Sequence, residues 1–386
     1  HQRLAHRYHD AIDSLVQAAR RAFYFGEVQR VRGMLEQMAP MITELSLPDE
    51  HPSRMTYRIL LSRWERLAGA QTDVTRERLE RVVKRCRWDG LNEELGAALL
   101  ALAQVLENEN RLDDAIAAVE EGVPVARALE DPEMLTTFLM RLGMYLNWTG
   151  RAQEAMPHLE EARQLSDRHR LMLLQVHTRH KLGHMLPSLG EHARAKNILE
   201  EALAMANALG SPTLRASTYN MLGNLATSMD DMFAARANYE RAASLHEGVI
   251  ERAYLIAQCN LGRLDVREEK WADCEARMRP VFERSVELNL HRIQVHAVIP
   301  LIFTTSLKQD LTDYEQFMDA FDEIQNNVVS ESTSVELLHK TAVGLAQRGE
   351  KSHAARALEH LGESYKKIGD AERGVEVLQL LAAMRR

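Results

Sequence analysis

Apolar residues recur at helical spacing along nearly the whole chain. In TTFLMRLGMYLNWTGRAQEAMPHLEEARQLS, Leu139, Leu142 and Leu146 share one helical face, at i, i+3 and i+7. Gly143 follows the central leucine, where a closely crossing helix would leave no room for a side chain. Gly150 then ends the helix as a left-handed cap. The following segment places Ala155, Leu159 and Ala162 on one face, a large residue between two small ones. Two antiparallel helices joined by a tight turn are predicted.

This unit repeats. Leu142-Gly143, Leu182-Gly183, Leu222-Gly223 and Leu261-Gly262 stand 40, 40 and 39 residues apart. Stepping back by the same period reaches Leu102-Ala103 and Ser62-Arg63, and stepping forward reaches Leu301-Ile302. The second-helix face recurs as Ala195, Leu199 and Ala202, as Ala235, Tyr239 and Ala242, and as Cys274, Met278 and Val281. A fixed period of this length is the signature of stacked helical repeats. The pattern loosens at both ends. Near the start, Gly26 is expected in a turn, with Val31, Leu35 and Met38 on a second helix, and a connector with Pro48 and Pro52 follows. The next unit has Thr75 where alanine is expected. Leu361-Gly362 reads as a first-helix motif, yet counting helices from residue 295 makes it a second helix, so an irregular cap is expected there.

Composition adds exclusions. Only 10 prolines interrupt a chain rich in strong helix formers. The formal net charge is −8 with both signs interspersed, so the basic stripe that a phosphate backbone requires is missing and nucleic acid is not expected as a direct partner. Cys86, Cys259 and Cys274 are too few and scattered for a disulfide framework, which suggests a reducing, cytoplasmic setting. No apolar run is long enough for a membrane span. The chain opens at His1 directly in helical sequence, as expected of a piece of a longer protein.

Candidate chemistry is sparse. Phosphate-loop, HExxH, CxxC and Gly-x-Ser-x-Gly motifs are absent, so neither a catalytic residue nor a cofactor is expected. His177, His180 and His184 lie at i, i+3 and i+7, and the last two have the spacing of helical zinc ligands. Set against a metal-assisted hydrolase is the plainer reading of polar residues on an open surface, since no fourth ligand is evident. Cys274 takes a small-residue packing position, and none of the cysteines has the histidine partner a nucleophile needs.

The glycine, alanine and alanine offsets of Gly143, Ala155 and Ala162 resemble the tetratricopeptide repeat, over about residues 55 to 325. The period departs from the family's 34 residues, and longer helices and connectors are expected to absorb the difference. The resemblance implies an all-α, right-handed superhelical solenoid of eight or nine antiparallel hairpins. A helical hairpin and connector would occupy residues 1–54, the regular array 55–327, and an irregular cap 328–386. It further implies that first helices line a concave groove. Carried onto this sequence, the groove positions are Asn147; His177, His180 and His184; Asn220 and Asn224; and Arg263 and Arg267, with Asn260 beside them. Such donors could grip a peptide backbone or carboxylate. The lysines of a chaperone-type carboxylate clamp are not at the matching positions.

Long units with Leu-Gly motifs are similar to the C-terminal sensor arrays of bacterial STAND-type signalling NTPases, multidomain serine/threonine kinases and peptide-pheromone regulators. The opening LAHRYHDA resembles the junction preceding such arrays. The implied function is non-catalytic: a protein- or peptide-binding module serving as the sensor of a larger bacterial signalling protein, with an NTPase or kinase domain upstream. The alternative is a stand-alone assembly scaffold.

Overall fold

The computed structural model describes residues 2–24, 28–49, 51–67, 72–109, 111–246, 251–288, 290–324, 332–368 and 370–384. Gly26 lies outside them. The chain forms two compact units, His1–Glu191 and His192–Arg386, and the described residues contain only helices and their connectors.

The first unit runs α1 (Gln2–Tyr24), α2 (Val28–Glu44), α3 (Pro52–Leu67), α4 (Thr72–Asp89), α5 (Asn92–Asn108), α6 (Leu112–Ala128), α7 (Pro132–Trp148), α8 (Ala152–Arg168) and α9 (Met172–Met185), which ends in a 3-10 turn, Leu186–Leu189. The second holds α10 (His192–Ala208), α11 (Pro212–Ser228), α12 (Met232–His246), α13 (Glu251–Arg267), α14 (Trp271–Glu287), α15 (His291–Ser306), α16 (Thr312–Ile324), α17 (Ser332–Gln347), α18 (Lys351–Ile368) and α19 (Ala371–Met384).

The odd-numbered helices from α3 onward begin at residues 52, 92, 132, 172, 212, 251, 291, 332 and 371, so the period holds through the C-terminal segment. Leu361-Gly362 therefore sits on a second helix, α18. A Cβ at Gly362 would meet only Val377, at 3.7 Å, so no close crossing requires this glycine. Helices α7 and α8 have 17 residues each, and the hairpin they form is joined to its neighbours through only three residues on either side, 129–131 and 169–171. The expected lengthening of the connectors does not occur; the growth over a 34-residue unit is helical.

Local chemistry sets the helix boundaries. Asp131 caps α7 by accepting from the Glu133 and Met134 amides at 3.0 and 2.9 Å, with Pro132 in the first turn. Gly150 closes the same helix at φ +79°. Between α7 and α8, Leu139, Leu142, Ala155, Leu159 and Ala162 are all buried. A Cβ at Gly143 would lie 2.5 Å from Leu159 Cγ and 3.2 Å from the Ala155 carbonyl oxygen, which is why the leucine is followed by glycine. In the second unit one core runs from Leu255 to Leu381 and includes Tyr314, Phe317, Met318 and Phe321. Each such side chain contributes about 1.5–3 kcal/mol on burial, so the array is held by the interiors of successive hairpins. No helix among the described residues is long and apolar enough to cross a membrane.

Candidate functional site

In the second unit the candidate polar residues fall on α11 and α13. Asn220 and Asn224 are four residues apart on α11, on one face with Cβ atoms about 5–6 Å apart. Asn220 is buried and Asn224 partly buried. Each amide is held by its oxygen. Asn260 on α13 donates from Nδ2 to Asn220 Oδ1 at 3.3 Å, and Arg263 donates to Asn260 Oδ1. The Tyr239 hydroxyl, from α12, donates to Asn224 Oδ1 at 2.7 Å. Burial raises the Tyr239 pKa, so this phenol stays protonated and remains a donor.

The consequence is directional. With both carbonyl oxygens engaged, Asn220 and Asn224 keep their NH2 groups without a protein acceptor among the described residues. A buried or half-buried amide with unspent donors is costly unless something meets it. Two donors at this separation suit alternate carbonyls of an extended chain, which repeat at about 6.6 Å. Arg267, exposed at the end of α13, is paired with Asp230 at 2.9 Å. Arg263 instead donates into the amide network through Asn260.

The relay is backed by a buried ion cluster. Asp265 on α13, 1% exposed, accepts from Arg236 of α12 at 2.7 Å and from Arg277 of α14 at 2.8 Å. Three helices are tied through one carboxylate, which lies five residues after Asn260 and two after Arg263 on α13. The sequence reading missed both Asp265 and Tyr239. Tyr239 was assigned to packing alone, yet it does both jobs: its ring fills the space at Gly223, where a Cβ would lie 2.4 Å away, and its hydroxyl fixes Asn224.

In the first unit the predicted residues are less unified. Asn147 accepts from the Ser188 hydroxyl at 3.4 Å. His180 is buried, His177 partly buried and His184 exposed on α9, and the first two rings pack edge to face at 6.1 Å. Burial, with Lys181 nearby, depresses the His177 pKa to about 4. Burial, with His177 and Lys181, takes His180 to about 3. Both are neutral imidazoles near pH 7. Among the described residues no three His, Cys, Asp or Glu side chains are arranged to hold a metal ion. Arg141, which the offsets did not select, binds Glu107 at 3.1 Å and Tyr145 at 3.2 Å from α7. It occupies the repeat position of Asn260, and that correspondence would have found it.

Among the cysteines, Cys86, Cys259 and Cys274 are all buried and free. Burial raises Cys86 to about 11 and Cys274 to about 12. These are packing residues with inert thiols.

The tetratricopeptide repeat family model matches residues 176–210. No curated protein matches the chain in sequence. Among solved structures, a Rap protein complexed with competence and sporulation factor is similar at 15% identity and TM-score 0.64, over 95% of this chain and 99% of that one. The quorum sensor NprR from B. thuringiensis in its apo form matches at 12% identity and TM-score 0.53, over 98% and 99% of the two chains. A Signal Transduction ATPase with Numerous Domains from Pyrococcus horikoshii, with a tetratricopeptide repeat sensor, matches at 12% identity and TM-score 0.52, over 90% of this chain and 54% of that one. At these identities the likeness is one of fold, and the fold is that of a tetratricopeptide-type repeat protein.

Proposed function

We propose that this tetratricopeptide-type array binds an extended protein or peptide segment through the face of α11 and α13, and acts as a sensor within a bacterial signalling protein. The observation that carries the reading is the pair Asn220 and Asn224, each with its oxygen tied down and its NH2 group left to donate. Main-chain carbonyls of a bound segment would complete those donors, beside Arg263, which donates to Asn260. The Rap protein similar in fold is complexed with competence and sporulation factor, and NprR also has a structure with its cognate peptide, NprX, which supports a peptide as the ligand class here.

The regulatory part of the proposal rests on how repeat arrays transmit strain. Each hairpin contacts only its neighbours, so a segment held across α11 and α13 would change the packing of one hairpin on the next. A linked NTPase or kinase domain would read that change. The test begins with a displayed random-peptide selection on the immobilised chain. Selected peptides are then measured against Asn220→Asp and Asn224→Asp. Each replacement keeps the oxygen that accepts from Asn260 or Tyr239 and exchanges the donor for an acceptor. The expected loss is about 1–3 kcal/mol per site, roughly 5- to 150-fold in affinity. Peptides that bind both variants as tightly as wild type would remove this face from the reading.

A further inference from the structure

A separate feature lies in the first unit. Between α3 and α4 is a cavity of about 410 Å3 lined by Arg58, Arg78, Arg81 and Arg85. Buried Met55 and Val82 give it an apolar floor, and Asp49 stands at its rim, 70% exposed as a side chain. Four guanidinium groups meet one lining carboxylate, in a chain whose formal net charge is −8.

The repeat makes this departure visible. Arg78, Arg81 and Arg85 lie at i, i+3 and i+7 on α4. One period later the same positions read Ala118, Glu121 and Val125, then His158, Glu161 and Leu165, then Ile198, Glu201 and Met205. The middle position is acidic in the next three units, basic here, and basic again as Arg241 on α12. Glu121 and Glu161 are each answered by an arginine 34 residues earlier, Arg87 and Arg127, both at 2.5 Å. The residue 34 before Arg81 is Leu47, which is buried.

Among the described residues, no ion pair holds Arg81, unlike the other three lining arginines. Arg58 is held by Asp49 at 2.9 Å, Arg78 by Glu65 at 2.5 Å and Arg85 by Asp89 at 2.5 Å. Arg81 donates from Nε to the backbone oxygen of Glu77 at 3.2 Å. Asp49 indicates how an anionic oxygen would lie there. Its Oδ1 takes Arg58 and, at 3.3 Å, Arg54, and so occupies the rim as an internal competitor.

We propose that this cavity is a binding site for a small organic phosphate. The phosphate groups would meet Arg81, Arg85 and Arg58, whose planar forks match phosphate oxygens in pairs. The organic part would rest on Met55 and Val82. The volume is within the range of small-molecule sites, and a ligand that displaces Asp49 meets two positive charges, Arg58 and Arg81, while Arg78 and Arg85 keep Glu65 and Asp89. The proposal does not depend on the peptide-binding reading, because it uses no residue of α11 or α13.

The test is calorimetric titration of the full chain with pyrophosphate, metal-free ATP, citrate and an oligoglutamate peptide. ATP and pyrophosphate bind, with ATP tighter because it reaches the apolar floor. Arg81→Gln and Arg85→Gln each weaken binding roughly tenfold or more, as expected for loss of a charge-assisted hydrogen bond. Asp49→Asn strengthens it by removing the competing carboxylate. Arg127→Gln, which removes one positive charge elsewhere on the unit, leaves it unchanged, and circular dichroism confirms that each variant is folded. Binding of neither phosphate probe overturns the proposal, as does citrate or oligoglutamate binding as tightly as ATP. An equal effect of Arg127→Gln overturns it too, since that would be non-specific charge attraction. Capture by phosphoinositide vesicles without binding of soluble ATP or pyrophosphate would move the ligand to a membrane and reject the cavity as a metabolite site.

Discussion

Replacing Asp265 by alanine is predicted to loosen three helices together. The carboxylate is 1% exposed and is shared by Arg236 from α12 and Arg277 from α14. Removing one member of a buried ion pair costs about 3–5 kcal/mol when the remaining charge is stranded. Here the arginines are only partly buried, at 22% and 27% exposure, and each keeps a second partner, Glu268 for Arg236 and Gln258 for Arg277. The expected loss is therefore at or below the bottom of that range, about 2–3 kcal/mol. For a unit of this size 1 kcal/mol moves Tm by about 2–4 °C, so a fall of roughly 4–12 °C is predicted. Urea titration followed by circular dichroism should give the same loss at unchanged slope. Asp265→Asn, which retains one acceptor, should lose about half as much. Because Asn260 and Arg263 lie on the same helix, five and two residues before Asp265, peptide affinity should fall with stability. A loss below about 1 kcal/mol, the range of an exposed ion pair, would refute the bridge as a structural element.

Gly143→Ala should destabilise by about 1–3 kcal/mol in thermal melts, although alanine is the better helix former, because the new Cβ lies 2.5 Å from Leu159 Cγ and 3.2 Å from a backbone oxygen that cannot yield. Acid should weaken the first unit through His177 and His180, whose folded pKa values lie below the ordinary 6.5. Above pH 6.5 both states are neutral and the contribution is complete; as pH falls the unfolded chain takes up protons that the folded chain refuses. Stability should drop between pH 6.5 and about 4, by about 3 kcal/mol from His180 alone. His180→Gln should flatten melting temperature against pH over that window, and an unaltered slope would refute the assignment. Cys86 and Cys274, buried and raised to about 11 and 12, should react with a thiol reagent only as fast as their helices open, so labelling in native buffer should lag far behind labelling in denaturant.

The fold was legible because its determinants are local and repeated. The Leu-Gly pair at 142–143 and the Ala155, Leu159, Ala162 face encode a close helix crossing, and the same contact recurs where Gly223 meets Tyr239 and Gly262 meets Met278. The phase of α17 and α18 was harder to read, since Gly362 copies the motif without the crossing that gives it meaning. Candidate polar residues could be selected by offset, yet an offset gives position and not hydrogen-bond state. That Asn220 and Asn224 present donors follows from Asn260 and Tyr239 across the helix seams, which no single-helix pattern contains. Asp265 was hidden for the same reason: its partners lie on the two flanking helices. The arginine cavity escaped because α3 and α4 depart from the repeat, and there the sequence reading registered a degenerate unit instead of a substituted stripe.

The most direct test of the peptide-binding account is a photo-crosslinking measurement. A selected peptide carrying a diazirine at successive positions is irradiated with the full chain, and the adducts are mapped by mass spectrometry. The account predicts adducts on α11 and α13, concentrated between residues 217 and 227 and between 256 and 267, and lost when Asn224→Asp replaces wild type. Adducts confined to α12 and α14, or unchanged in the variant, would contradict it.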